Sequence, residues 1–316
     1  MKQTTFASMV YENKKKETRR EKFLREMNRT IPWDRLVSLI EPYYPKSGNG
    51  RRPMPLEQML RIYFMQQWYS LSDPAMEDSL YDIESMRRFA NIELGKDPVP
   101  DETTILHFRR LLEQHQLTAK LLEDVNEFLK ERGMLLRGGS IVDASIISAP
   151  SSTKNRGKKR DPEMSSTRKG NKWYFGMKVH VGVDAKSGLV HTVEVTTAKD
   201  HDATVLPNLV REDDQAVFGD KGYFSDDLKR EAREDGVYWG VLEKRKRGKG
   251  LSSSQQKRNR KHASVRAKVE HCFRIIKCQF GYVKTCYRGL EKNAVQVYSL
   301  VALGNLYQVR HQLANT

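Results

Sequence analysis

Between residues 55 and 133 the apolar side chains recur at helical spacing. Met59, Leu60, Ile62, Tyr63 and Met65 keep that period, and so do Ile105, Phe108 and Leu111 in ETTILHFRRLLEQ, which Asp101 caps. Ser72 or Asp73 caps a helix whose first turn begins at Pro74, and Ser85 to Phe89 begins or continues another. Gly133 closes LLEDVNEFLKERG as a C-cap. Upstream, IPWDRLVSLIEPYYP predicts an amphipathic helix with Trp33, Leu36, Val37, Leu39 and Ile40 inward, stopped by Pro42 and Pro45. KSGNGRRP reads as a turn-rich linker.

Near residue 138 the period changes. SIVDASIIS predicts a strand, followed by a basic, turn-rich loop from Ala149 to Lys172. Met177, Val179, Val181 and Val183 then alternate with Lys178, His180, Gly182 and Asp184, and AKSG turns the chain into a second strand, Leu189 to Val195. Asp202 caps a helix reaching Val210, AVFGD is a short buried strand ending at Asp220, and KGYF turns the chain again. A helix to Gly236 and the strand VYWGVLE follow. Lys244 to His262, KRKRGKGLSSSQQKRNRKH, reads as one long loop or small insertion. Then come a helix over Ser264–Phe280, an extra strand at Tyr282–Tyr287 and a closing amphipathic helix from Ala294 to Leu313. Strands interleaved with helices make this half a mixed α/β sheet.

The helix Ser264–Phe280 carries its charges in an unusual place. Val265, Val269, Cys272, Phe273, Ile276 and Phe280 share one face, while Arg266, Glu270 and Lys277 line the border of that stripe. An i,i+4 pair on a half-buried helix explains the arrangement as well as a site does.

Charge narrows the class of partner. The 316 residues hold 56 Lys and Arg against 40 Asp and Glu, a net +16 with a pI near 9.6. That balance fits a polyanion-binding protein. A membrane-surface protein would share it, but no basic helix shows a Trp/Leu face for insertion, and no apolar run approaches the roughly 20 residues of a membrane span. The start lacks an apolar signal-peptide core, so a cytoplasmic, nucleoid-associated location is expected. Three cysteines suit a reducing compartment. Cys272 and Cys278 point to opposing sides of one helix, which disfavours a zinc site with His271.

Three carboxylates stand out by position. Asp143 lies within the first strand of the sheet among Ile141, Val142, Ile146 and Ile147; Asp220 ends a short buried strand; Glu270 flanks the apolar stripe. Carboxylates in such surroundings are costly unless paired or bound to a cation. Hard oxygen donors from separate elements are what Mg²⁺ or Mn²⁺ takes, and two such ions about 4 Å apart promote phosphoryl transfer. Each carboxylate alone is also compatible with a structural role. The same holds for His180 and His201 near the strands, and for Trp173 and Trp239, which are either packing residues or platforms for an unpaired base.

Taken together, these residues resemble the DDE transposases of bacterial insertion sequences, most closely the insertion sequence five family. The resemblance runs from GNGRRPMPLEQMLRIYFMQQWYSLSD and PDETTILHFRRLLEQHQL through VDASIISAPSSTKN, RDPEMSSTRKGNKWYFGMKVHVGVDAKSGLVH and DKGY to RAKVEHCFRIIKCQFGYVK. It implies an α/β fold: a ribonuclease H-like mixed-sheet catalytic core with an N-terminal helical DNA-binding region. The expected divisions are a basic arm and short helix over 1–48, a helical DNA-binding domain over 49–135, and a catalytic domain over 136–316 with a basic insertion at 243–262. Asp143, Asp220 and Glu270 would be the catalytic, metal-binding triad, holding two Mg²⁺ or Mn²⁺ ions. Arg266, Glu270 and Lys277 match the Arg-x3-Glu-x6-Lys part of a family signature, whose tyrosine position holds Ala263 here. Arg266 and Lys277 would then contact DNA.

Further DNA contacts are expected from Arg109 and Arg110 in a helix that suits either a helix-turn-helix or a plain bundle. Others are expected from Lys158, Lys159, Arg160 and Lys172 in the first basic loop, and from Lys244, Arg245, Lys246, Arg247, Arg258 and Arg260 in the second. The first loop, like the second, is expected to be disordered without DNA. The implied partners are double-stranded DNA, as inverted-repeat ends and as target, and further copies of the chain in a dimer or larger synaptic assembly, with no membrane. A nuclease without strand transfer and a non-catalytic DNA-binding regulator are the alternatives. Charge reversal across Lys244–Lys261 should weaken DNA binding and flatten its salt dependence in a filter-binding series. An unchanged salt slope would reduce that run to a solvated loop.

Overall fold

The computed structural model describes residues 11, 13–49, 52–245, 248 and 250–314. The helical part comprises α1 (Arg19–Thr30), α2 (Trp33–Ile40), α3 (Leu56–Tyr69), α4 (Asp73–Asp82), α5 (Glu84–Phe89), α6 (Glu102–Gln114) and α7 (Leu117–Glu131). Caps set several of the starts. Thr18 and Glu21 form a capping box on α1, Ser72 accepts from Ala75 at α4, and Asp101 accepts from Thr104 at α6. α3 is buried on every side from Gln58 to Trp68 and packs on α2, α4 and α6. Arg61 is tolerated there because Glu57 and Asn28 each take its N–H groups at 2.7 Å and the Trp33 ring lies 4.0 Å beneath it.

The second half contains β1 (Ser140–Ser148), β2 (Ser165–Lys169), β3 (Lys172–Asp184), β4 (Val190–Thr197), α8 (Asp202–Leu209), β5 (Ala216–Gly219), α9 (Asp226–Glu234) and β6 (Tyr238–Val241). It ends with α10 (Ser253–Arg266), α11 (Val269–Arg274), a π-helical turn (Ile275–Gln279) and α12 (Leu290–Leu313). The strand order is β2-β3-β1-β5-β6, with β4 also on β3. β3 runs antiparallel to β1 and β4, whereas β5 and β6 continue parallel to β1. This is the ribonuclease H-like mixed sheet that the resemblance implied, with β1 at its centre. Period-2 alternation sends Ile141 and Ile147 into the main core, and Val142 into a smaller cluster with Val205, Leu206, Leu209 and Val217 under α8. Among the described residues no helix is long and apolar enough to cross a membrane.

Several segments differ from their sequence patterns. The basic stretch after β1 is not all loop: Ser165–Lys169 pairs with the first residues of β3 as a ribbon. The run read as a second long loop becomes α10 from Ser253 onward, started by a Ser252–Gln255 capping box. That helix lacks an apolar stripe, so periodicity could not reveal it; side chains on β6 and its exit hold it instead. Tyr238 and His262 hydrogen-bond at 2.9 Å, and Glu243 pairs with Arg258 at 2.8 Å. The helix expected over Ser264–Phe280 is broken at Ala267–Lys268 and ends in the π turn. Tyr282–Tyr287 contributes a single bridge, Lys284 to Ser148, rather than a strand.

α12 begins at Leu290 and is buried around most of its circumference, because it runs between the sheet and the helical region, against α1, α3, α7 and β4. Its polar residues therefore need partners. Asn305 donates to the Asn126 side chain at 2.9 Å and to the Val190 carbonyl at 2.7 Å, and accepts from the Val190 N–H at 2.9 Å. One amide thus ties α7, β4 and α12 together. Asn305→Ala should lower unfolding free energy by about 2–4 kcal/mol in urea titrations, because it strands buried backbone groups as well as removing contacts.

Candidate active site

Asp143 sits on β1 in the row of Ile141, Ser145 and Ile147, the row facing the helical side of the sheet. The parallel register of β1 and β5 ends at Val142 opposite Gly219. One residue further along each chain stand Asp143 and Asp220, and Asp220 keeps an extended backbone (φ −75°, ψ 169°) before the turn Lys221–Tyr223. Neighbouring strands lie about 4.8 Å apart, so the two carboxylates leave the sheet side by side. Glu270 arrives from above in the first turn of α11, and both α10 and α11 pack on β1.

Arg266, the last residue of α10, joins these elements. Its Nη2 lies 3.4 Å from Asp143 Oδ2 and 3.4 Å from Glu270 Oε1. The Asp143 side chain is only 14% exposed, while that of Glu270 is 64% exposed. Burial lifts the Asp143 carboxyl from its ordinary 3.8 to about 6; Arg266 and the Ala144 N–H, 2.9 Å away, oppose the shift, and Glu270 and Asp220 add to it. Asp143 thus feels both other carboxylates. Among the described residues, no three His, Cys, Asp or Glu side chains stand close enough to enclose a metal ion. The donor set is nevertheless the hard, all-carboxylate kind that suits Mg²⁺ or Mn²⁺, and the cation now between two of its members is a guanidinium.

Neighbours that the sequence did not single out complete the surroundings. Tyr223 is fully buried and its hydroxyl has no partner. Burial pushes that hydroxyl far above its ordinary range, and Asp202, Asp143 and Asp220 push it the same way. Asp202, at the start of α8, pairs with Lys178 at 2.9 Å. It also faces Gly222, where a Cβ would meet its Oδ2 at 3.0 Å. In the sequence only the DKGY turn and Asp202, read there as the helix cap that His201 provides in the structure, touched this corner.

The other candidates are spread more widely. Lys277, in the π turn, meets the same row of β1 as Arg266 two residues further along: its Nζ donates to Ser145 Oγ at 2.7 Å and to the Ile146 carbonyl at 2.9 Å. Burial lowers its pKa, with the Lys169 charge as the next cause. Arg109 turns inward to Asp73 at 2.7 Å and stacks over Tyr287, whereas Arg110 is exposed. Lys158, Lys159, Arg160, Lys172, Lys244, Arg245, Arg258 and Arg260 are exposed; Lys246 and Arg247 lie outside the described residues. Trp173 is 70% exposed on the ribbon. Trp239 instead lines a cleft of about 690 Å³ beside α8 and α9, away from the carboxylates, with its Nε1 buried and unpartnered. His180 is buried, bonds Thr196 Oγ1 at 2.9 Å and is held neutral by burial, its pKa lowered to about 4; His201 caps α8. Cys272 is buried, and Cys278 and Cys286 are exposed free thiols.

Residues 135–306, which contain every one of these carboxylates, match the family described as Transposase DDE domain. The chain belongs to that family. A second match, to Transposase domain (DUF772), covers residues 12–111 in the helical part. The solved piggyBac transposase synaptic complex with hairpin DNA resembles this DDE-family chain over 92% of its length and 73% of its own, at 11% identity and a TM-score of 0.46. Membership rests on the domain match.

The raised Asp143 carboxyl has a measurable sign. The folded protein holds that proton more tightly than the unfolded chain, so stability falls as pH rises from about 4 to about 6 and is level above. Asp143→Asn should therefore gain stability over the native chain through that window, by up to about 3 kcal/mol at neutral pH in urea unfolding. A difference independent of pH would remove burial of the charge as the cause.

Proposed function

We propose that the chain is a DNA transposase. It binds the terminal inverted repeats of its mobile element, hydrolyses a phosphodiester at the element end and joins the freed 3′-hydroxyl to target DNA. The observation that carries this reading is the meeting of Asp143 and Glu270 on Arg266, with Asp220 near enough to raise the Asp143 carboxyl, within a transposase DDE domain. The three carboxylates would hold Mg²⁺ or Mn²⁺, two ions per site. Bound there, the ions would supply Lewis acidity to the scissile phosphate.

The protein's own groups set the remaining conditions. Asp143 is fixed by its register with β3 and Asp220 follows directly on β5, whereas the exposed Glu270 carboxylate can adjust on its helix. Arg266 and the exposed cations of α10 would bear on the phosphate backbone. Trp173, on the basic ribbon, is available for base stacking; Trp239 is placed less favourably. Residues 49–135 would grip the element end and residues 136–316 would carry the chemistry. Each displacement is in line: a water oxygen bonds phosphorus as the 3′-oxygen leaves, and that 3′-oxygen later bonds a target phosphorus as another 3′-oxygen leaves. Joining two ends to one target calls for a homodimer or larger assembly.

Labelled element ends, a target plasmid and Mg²⁺ or Mn²⁺ test the proposal directly. Joined products are expected, and nicks without joining would instead mark a nuclease. Glu270→Gln should reduce cleavage by at least about 100-fold while end binding persists. Retained turnover would remove Glu270 from the mechanism.

A further inference from the structure

Arg266 makes longer carboxylate contacts than the other partly buried arginines among the described residues. Arg109 meets Asp73 at 2.7 Å, Arg35 meets Asp124 at 2.7 Å, and Arg211 meets Asp214 at 2.8 Å. Those values match the roughly 2.7–2.9 Å of a settled charge-assisted hydrogen bond. Arg266 stands 3.4 Å from each of its two carboxylates, and its Nε is buried without a partner. Its guanidinium therefore balances charge through two long contacts, of which the one to Glu270 Oε1 is a weak hydrogen bond.

We propose that Arg266 is a placeholder cation. It lies between Asp143 and Glu270 until a divalent ion takes those oxygens, and is then displaced toward a DNA phosphate. The proposal rests on the metal-ligand reading given above. Carboxylates gathered with no cation repel one another, so a monovalent guanidinium keeps the empty site assembled. Asp143 and Glu270 oxygens that held a divalent ion would no longer offer Arg266 the same seat. Once released, a planar five-donor group suits a phosphate. Metal loading and DNA engagement thereby become coupled through a single side chain, with the metal first.

The full-length protein without DNA provides the test, with Mn²⁺ binding followed by the electron paramagnetic resonance signal of the free ion. Arg266→Gln should bind Mn²⁺ about tenfold more tightly than the native chain, because it removes the competing charge. Arg266→Lys, which keeps the charge but reaches both carboxylates less well, should tighten binding a few-fold and carries the test if the glutamine variant does not fold. Equal or weaker binding in the variant that folds would overturn the proposal. A second readout is the salt dependence of end binding with Ca²⁺ or with chelator. The native slope should steepen by about 0.9 when Ca²⁺ is present, the equivalent of one phosphate contact, and that of Arg266→Gln should not. A purely structural arginine would leave the slope indifferent to Ca²⁺. Asp143→Asn and Glu270→Gln separate the two ideas. If they abolish Mn²⁺ binding while Arg266→Gln leaves it unchanged, only the placeholder falls. If neither alters Mn²⁺ binding, the metal reading falls, and the placeholder with it.

Discussion

A carboxylate carried on the core-facing row of the central strand constrains everything around it. Asp143 cannot turn toward solvent, because β1 has β3 on one edge and β5 on the other, with α10 and α11 packed over its face. Any residue there with a fixed negative charge must be given a cation or keep its proton. The structure does part of each: Arg266 approaches from the end of α10, and the carboxyl still titrates near 6. The break after α10 is consistent with the same constraint. Arg266 at the end of α10 and Glu270 at the start of α11 still meet across it, as an i,i+4 pair would.

The helical region is bound to this arrangement through α12. One hydrophobic core runs from Leu24 and Met27 in α1, through α3, to Ile141 and Val181 in the sheet and Leu300 and Leu303 in α12. Where polar groups interrupt that core they bridge its parts, as Asn305 does between α7 and β4, and Tyr63 and Ser299 do at 2.9 Å between α3 and α12. α3 and α7 therefore meet the sheet through α12 and the side chains packed on it.

Much of the site was legible in sequence because strand alternation and turn residues mark positions directly. Asp143 lies in a β-branched run, Asp220 ends a short apolar strand before a glycine turn, and Glu270 lies beside an apolar helical stripe. What escaped depends on contacts between residues distant in sequence. α10 has no apolar face of its own and is held by Tyr238 and Glu243. β2 is a polar ribbon that forms only because β3 extends past the end of β1. The π turn that carries Lys277 is likewise invisible to a fixed helical period. Arg109 looked like a surface cation until Asp73, from another helix, drew it inward.

The same geometry explains why the basic segments matter to the acidic centre. α10 exposes Lys257, Arg258, Arg260 and Lys261 along its length and ends on Arg266, so positive charge leads straight to the carboxylates. A polyanion following that helix meets cations until its last turn, and then meets three carboxylates whose field would repel it. Only a cation at their centre removes that repulsion. Arg266 supplies one charge there, 3.4 Å from Asp143 and from Glu270. The basic ridge and the acidic cluster therefore act on a polyanion in opposite senses, and positive charge between the carboxylates lessens the repulsion.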